Sequence, residues 1–278
     1  EKLWVPFDSY TMREAIEDGY ILNPLRGIVP VSAKMFFELP DNKLQGFEGD
    51  TGYSDKSLTE EEIEIRYQIR KEKIYSDPDR IDAIAHFVVD RLLSAVYHNI
   101  RGTAKAMLAV SSIPNAIKYK KLIDRYYPLA IAAQKKYARF REAPTYIVYS
   151  ERQGAESPNS LNGGLNEKQV LQNFKLAKNG LIIVVDKLQT GFDEPKLHTL
   201  FLDKEIRGIN AIQTISRVNR ITKDKNDCKI VDFSHLNVNV KNIKQAFEHF
   251  SNVVVSDFAP LEDEKTLLDL YKELNKSE

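Results

Sequence analysis

The sequence predicts an α/β fold in which a parallel β-sheet is flanked by helices. Short apolar runs rich in β-branched and aromatic residues alternate with helical patterns of roughly 10–15 residues, an order typical of βαβ units. The 278 residues are 42% hydrophobic and 29% charged, an ordinary balance for a globular protein. The chain is therefore long enough for one large domain with appendages.

Five strands are expected, each a continuous apolar run bounded by polar or turn residues: 106–110, 145–149, 181–185, 198–202 and 229–233. Runs without polar alternation are typical of strands buried on both faces, as in parallel sheets. The run at 181–185 is the strongest strand signal in the chain.

The helices in the first half are indicated by their starting residues. Residues 58–76 predict a surface helix, and Asp77-Pro78 predicts the N-cap and first turn of a long helix that ends near residue 100. A further helix is expected with Pro114 near its start.

In the second half, Asn166 and Gln169 predict a capping box, and Gly180 is expected as the glycine just past the end of that helix. A helix is expected over 209–219. Two more follow, with apolar faces spanning 240–250 and 267–274.

These elements predict three segments. Residues 1–78 form an irregular lead-in with a surface helix, 79–238 form the α/β lobe, and 239–278 begin a C-terminal helical region. The chain does not start with methionine, so we expect it to be a piece of a longer protein.

Composition excludes several classes of function. The 40 basic and 40 acidic side chains cancel, so bulk charge predicts no partner. The single cysteine, Cys228, excludes intrachain disulfides and fits a reducing, cytoplasmic compartment. With five scattered histidines, we expect no metal site. No run is long and apolar enough to predict a membrane span.

The first segment that carries chemistry follows the strand at 181–185. A turn there presents Thr190, Gly191 and Asp193. Ligands of open α/β sheets bind beyond the carboxyl ends of strands. A glycine lets backbone N–H groups approach a phosphate, and an aspartate can accept a hydrogen bond from a ribose hydroxyl. Asp193 capping the turn before Pro195 is the structural alternative.

The second segment is the predicted helix at 209–219 and the residue after it. On a helix, Gln213, Arg217 and Arg220 lie at i, i+4 and i+7, so all three are expected to project from one face. A guanidinium is permanently charged and grips phosphate oxygens in pairs. The pattern indicates polyanion recognition, with a solvated helix face as the alternative.

These two segments resemble motifs V and VI of superfamily 2 helicases. The closer resemblance is to the motor (restriction) subunit of type I restriction enzymes, carried by these stretches: Val185-Asp-Lys-Leu-Gln-Thr-Gly-Phe-Asp-Glu-Pro195, Leu202-Asp-Lys204, Ile212-Gln-Thr-Ile-Ser-Arg-Val-Asn-Arg220 and Tyr10-Thr-Met-Arg-Glu-Ala-Ile-Glu-Asp-Gly19. The last resembles the stretch after that family's first motor lobe. Ser216 departs from the glycine usual in the broader superfamily.

The resemblance implies the second, RecA-like lobe of a two-lobed motor. ATP and Mg²⁺ would be bound mainly by the first lobe, which this chain lacks, since the chain contains no Gly-x-x-x-x-Gly-Lys-Ser/Thr phosphate loop. By motif position, Arg220 is the expected arginine finger and Arg217 a supporting phosphate contact. Gln213 is expected to contact phosphate or couple the lobes.

The remaining positions follow the same motifs. Asp193 would face the ribose or the coupling network, with Gly191 and Thr190 near nucleotide or DNA. Ser111 and Ser112 fall at motif IV, where they would touch the DNA backbone, although short polar residues also commonly end a strand and start a helix.

The resemblance further implies double-stranded DNA and the methylation and specificity subunits as partners, and the parent's reaction as ATP-driven translocation followed by DNA cleavage. The fragment alone is expected to be inactive. Two alternatives stay open: a lobe of another superfamily 2 helicase (type III restriction or repair), or a non-catalytic α/β module that binds nucleic acid.

Overall fold

The computed structural model describes residues 12–31, 71–187, 192–234 and 238–251. The predicted helix at 267–274 lies outside these residues. So does most of the one at 58–76, of which residues 71–76 are helical. Among the described residues, no helix is long and apolar enough to cross a membrane.

The core of the protein is one six-stranded sheet in which every pairing is parallel. The strands run in the order β1-β6-β5-β2-β4-β3. Their bounds are β1 Ile28–Pro30, β2 Lys105–Val110, β3 Thr145–Val148, β4 Leu181–Val184, β5 Leu197–Asp203 and β6 Lys229–Asp232. The five predicted strands are thus confirmed, each to within a residue or so at its ends.

Helices cover both faces of the sheet. The bounds are α1 Met12–Glu17, α2 Pro78–Ser94, α3 Ile113–Ala133, α4 Pro158–Leu161, α5 Glu167–Leu176, α6 Gly208–Ile215 and α7 Val238–Ser251. Side chains of α2 and α3 pack with one set of strand residues, and those of α5, α6 and α7 pack with the other. Alternation along β2 shows the division, because Leu108 faces the first layer and Met107 the second.

The predicted helix starts are confirmed. Asp77 accepts a hydrogen bond from the backbone N–H of Arg80 at 2.8 Å, with Pro78 in the first turn. Asn166 and Gln169 form the reciprocal capping box. Each cap satisfies N–H groups that a helix leaves without an internal partner.

The predicted end of the long helix near residue 100 is wrong. The α-helix stops at Ser94 and a 3-10 turn, Val96–His98, follows. Ile100 and Arg101 then adopt left-handed backbone angles, with φ of 51° at both. This turn lets the chain reverse into β2, and the Asn179 side chain stabilises it by donating to the carbonyls of Gly102 and Ala104 at 3.1 and 3.0 Å.

Gly180 does not have the predicted role. Helix α5 is capped at Ala177, and Gly180 is not among the glycines with positive φ. A Cβ at this position would lie 3.1 Å from the Phe174 ring and 3.2 Å from the carbonyl oxygen of Pro144. Close packing at the start of β4 therefore explains this glycine.

A buried polar network holds the carboxyl ends of β5 and β6. Asp203 is fully buried and forms an ion pair with Arg80, whose guanidinium also donates to the carbonyl oxygen of Phe233 at 2.7 Å. The Tyr119 hydroxyl donates to the other Asp203 oxygen at 2.7 Å. Burial, reinforced by the nearby Asp203 charge, raises the pKa of Tyr119 well above its ordinary value. The network joins α2, α3 and two strands.

Candidate functional site

The segment that carries the two candidate arginines is a turn rather than a helix. Helix α6 ends at Ile215, and Ser216 is its C-cap. The expectation that Gln213, Arg217 and Arg220 share one helical face is therefore wrong. The Ser216 hydroxyl and the Arg217 Nε both donate to the carbonyl oxygen of Gln213, at 2.9 and 3.3 Å, which replaces the continuing helix bonds.

Burial of the next residues explains why the helix stops. Val218 is fully buried and Asn219 is 2% exposed, so the chain turns inward after Ser216. The backbone N–H of Leu22 donates to the carbonyl of Asn219 at 2.7 Å. We refer to residues 216–220 as the arginine turn.

Arg217 is buried and directed at the polypeptide itself. Its Nη1 donates to the carbonyl oxygen of Phe192 at 2.7 Å. Burial, with a further contribution from the nearby Arg220 charge, lowers the pKa of Arg217. Arg217 thus links the arginine turn to Phe192, which lies between Gly191 and Asp193 in the predicted motif V turn.

Arg220 and Asp193 are brought together by the fold. Arg220 Nη1 forms an ion pair with the Asp193 carboxylate, and the side chains are 35% and 59% exposed. Thr190 and Gly191 lie outside the described residues. The structure therefore joins one acidic and one basic candidate at the surface.

We expected the acidic turn at the carboxyl edge of the sheet, but the Asp193–Arg220 pair does not lie there. Strand β5 runs parallel to β4, so the chain must return to the amino end of the sheet between them. Glu194 marks the end of that return, because its Oε2 lies 2.7 Å from the Nζ of Lys105, the first residue of β2. The return segment, residues 192–196, packs Phe192 into the core layer that contains α5 and α6.

Two buried lysines support this region, and neither was identified from the sequence. Lys105 is fully buried and also donates to the carbonyl oxygen of Lys175 at 3.0 Å. Burial, opposed by its Glu194 partner, lowers the pKa of Lys105. Lys225 is 4% exposed and donates to three backbone carbonyls. Charged residues give no periodic signal, so their distant partners could not be predicted.

Of the two candidate DNA-contacting serines, Ser112 is the N-cap of α3 and Ser111 lies just before it. Ser112 accepts from the backbone N–H of Asn115 at 3.4 Å, and Ser111 accepts from the Asn115 side-chain amide at 3.1 Å. Both follow β2 at the carboxyl edge of the sheet. These hydrogen bonds support the structural alternative, in which the serines end a strand and start a helix.

A charged cleft of about 440 Å³ lies near this edge, lined by these polar side chains among others: Lys71, Asp186, Lys204, Glu205, Arg207 and Asn210. Lys204 pairs with Asp186 over the end of β2, because β2 lies between β4 and β5. In the described part of the chain, no group of three or more His, Cys, Asp or Glu side chains is arranged to bind a metal.

Comparisons with known proteins connect this architecture to a family. Residues 102–235 match the family model described as type I restriction enzyme subunit R domain 3. The chain is 27% identical over 254 residues to the HindI type I restriction endonuclease subunit of Haemophilus influenzae, covering 87% of this chain and 22% of that protein. It is 28% identical over 176 residues to a protein assigned as the MjaVIIP endonuclease subunit of Methanocaldococcus jannaschii, covering 60% and 16%.

A solved structure gives the same fold. A fragment described as an HsdR subunit of a type I restriction enzyme from Vibrio vulnificus superposes with a TM-score of 0.50 at 16% identity, covering 86% of this chain and 36% of that one. This likeness confirms the RecA-like α/β fold that the motifs implied. The chain spans only about a fifth of the length of the curated relatives named above. The chain is therefore similar to the R subunits of type I restriction enzymes, and its residues 102–235 match domain 3 of that family.

Proposed function

We propose that this lobe is the second motor lobe of an ATP-dependent DNA translocase subunit and that it supplies Arg220 to ATP bound by another lobe. The observation that carries the proposal is the Asp193–Arg220 pair, in which a permanently charged guanidinium, one-third exposed, is held at the surface by the Asp193 carboxylate on the return segment. Arginines supplied in this way typically raise turnover by about 10³–10⁵.

The chemistry of this pair suits an exchange of anions. An exposed ion pair contributes only about 0.2–1 kcal/mol, so a phosphate can displace Asp193 at little cost. Phosphate, like a carboxylate, accepts two parallel N–H bonds from one guanidinium, and the larger negative charge of a terminal phosphate gives the incoming anion the stronger interaction. Asp193 would then keep Arg220 in place until the nucleotide arrives, which fits the coupling role over the ribose-contacting one.

The other motif residues support the arginine turn. Arg217 donates to the Phe192 carbonyl and is buried, which favours a positioning role over a phosphate contact. Gln213 accepts from Ser216 and Arg217 through its backbone carbonyl, and its half-buried side chain stays a candidate for coupling the lobes. We keep Thr190 and Gly191 as predicted neighbours of nucleotide or DNA.

ATP and Mg²⁺ are proposed to bind mainly to the first lobe, because the 278 residues contain no phosphate loop. The metal would neutralise charge on the transferred phosphoryl group there. Double-stranded DNA is the proposed polymer partner, with Ser111, Ser112 and the charged cleft as its candidate contacts. Methylation and specificity subunits and a cytoplasmic location are proposed by analogy with the restriction subunits named above.

The test uses the full-length subunit that contains this lobe. We expect Arg220→Ala to abolish DNA-stimulated ATP turnover while ATP binding is largely retained, because the arginine acts on the transition state. Arg152→Ala is the matched control, since Arg152 is exposed and lies in the loop after β3. Near-normal turnover in Arg220→Ala would refute the assignment.

The non-catalytic alternative makes a different prediction. A module that only binds nucleic acid should hold duplex DNA by itself, with an affinity that falls steeply with salt. A half-motor should bind DNA and nucleotide weakly until the other lobe is present. Titration of the isolated chain with duplex DNA at two salt concentrations separates the two functions.

A further inference from the structure

Lys225 is a buried cation at the junction of the two candidate segments. Its Nζ lies 3.0 Å from the carbonyl oxygen of Pro195, 2.8 Å from that of Leu197 and 2.7 Å from that of Val218. The side chain is 4% exposed. An ammonium has three N–H donors and no acceptor, so these three carbonyls use its entire bonding capacity.

The position of Lys225 in the fold explains why these carbonyls are available to it. Strand β6 pairs with β5 only from Thr199 onward, opposite Lys229. The carbonyl of Leu197 therefore precedes that ladder, and Lys225, on the chain leading into β6, donates to it. A buried carbonyl without a donor is costly, so this lysine satisfies groups that the sheet leaves open.

We propose that Lys225 is a positioning residue for the arginine turn. Its ammonium joins the backbone of this turn to the backbone of the return segment, close to both members of the Asp193–Arg220 pair. Pro195 is two residues after Asp193, and Val218 is two residues before Arg220. One ammonium therefore fixes the two backbones whose side chains form the surface pair. The inference rests on the proposed function, because it gives Lys225 the task of aiming Arg220.

The charge of Lys225 makes this link sensitive to pH. Burial lowers the pKa of Lys225 to about 8, against raising contributions from Cys228, Glu194 and Asp227 and a lowering one from Arg220. Above that pH the neutral amine has two N–H donors for three carbonyls. We therefore expect the arginine turn to loosen as the pH rises through about 8.

The free energy of unfolding, in contrast, should increase as the pH rises over this range. The pKa of Lys225 is lowered from 10.5 to about 8 in the folded protein, so between these values the unfolded chain binds more protons. The contribution of this group to stability accordingly rises with pH over that window. A purely structural role predicts no loss of function there, whereas a positioning role predicts that turnover falls.

The experiment measures DNA-stimulated ATP turnover by the full-length subunit with Lys225→Met, which keeps the length of the side chain and removes its donors. We expect kcat to fall roughly 10²-fold, as for a small displacement of a catalytic group. The KM for ATP should stay within about twofold, because Arg220 acts on the transition state. Lys120→Met is the control, since Lys120 is also largely buried but pairs with Asp124 in the other helical layer.

The wild-type pH profile is the second readout, and it decides the question if Lys225→Met does not fold. Turnover that declines above about pH 8 supports the proposal, and turnover that stays level or rises through this range overturns it. If Lys225→Met folds with a normal kcat while Arg220→Ala is inactive, the inference about Lys225 is wrong and the proposed function is unaffected. Near-normal turnover in Arg220→Ala removes the proposed function and this inference together.

Discussion

The buried ion pair between Arg80 and Asp203 gives the sharpest prediction on stability. Arg80→Met keeps the bulk of the side chain and removes its charge. It leaves the fully buried Asp203 carboxylate with Tyr119 as a partner and without its cation, and it leaves the Phe233 carbonyl without this donor. Two buried acceptors thus lose a donor in one substitution.

The expected magnitude follows from the burial of both groups. Removing one partner of a buried pair costs about 3–5 kcal/mol, because the remaining charge has no compensation. That is a large part of the roughly 5–15 kcal/mol by which a domain is stable. The double variant Arg80→Met/Asp203→Asn removes both charges, and we expect it to recover about half of the loss or more.

The assay is urea denaturation of the purified chain at pH 7, followed by circular dichroism. Arg207→Met is the matched control, since Arg207 is 65% exposed and pairs with Glu205 at 3.2 Å. Its loss should cost no more than about 1 kcal/mol. A free energy of unfolding for Arg80→Met within about 1 kcal/mol of wild type would show that the network is not a structural anchor.

Three further predictions concern packing and exposure. Gly27→Ala should destabilise the protein by about 1–3 kcal/mol in thermal melts, because a Cβ there would lie 1.9 Å from the carbonyl oxygen of Cys228; an unchanged melting temperature would contradict this. Asn162→Ala should lower the free energy of unfolding by about 1–3 kcal/mol, because Asn162 bonds both the N–H and the carbonyl of Ile147 on the edge strand β3. The exposed strand edge should also increase aggregation, measured by light scattering, and an unchanged urea midpoint would contradict the protective role of Asn162. Burial raises the pKa of Cys228 to about 11, so its thiol should resist labelling at pH 8 until urea unfolds the chain, and rapid labelling of the native protein would refute the burial.

The sequence predicted the central sheet well, because parallel strands buried on both faces leave continuous apolar runs. Strand β1 was missed since it has three residues and includes Pro30, which does not resemble such a run. The start of α2 at Asp77 and the capping box at Asn166 were predicted because they depend on neighbours within three residues. Helix ends were predicted less well, because tertiary contacts fix them.

The candidate residues were chosen from the motifs, but their geometry was not predicted. No ion pair between Arg220 and Asp193 was expected from the motif positions. Helical extrapolation placed Arg217 beside Arg220 on one face, whereas the burial of Val218 ends the helix and turns Arg217 toward Phe192. Lys225 lies in a polar stretch that reads as an ordinary loop, and its partners are set by the fold of distant segments.

Strand β1 brings an early part of the chain into the same sheet as the last strand of the lobe. It is contributed by residues 28–30, yet it forms one edge of the sheet by pairing with β6, about two hundred residues later. Just before it, Ile21 bridges to Arg220. A displacement of this early segment is therefore transmitted directly to the backbone of Arg220, the proposed arginine finger, and not through the central strands. A chain that begins at residue 79 would lack both this bridge and strand β1, so the outer edge of β6 would lose its pairing.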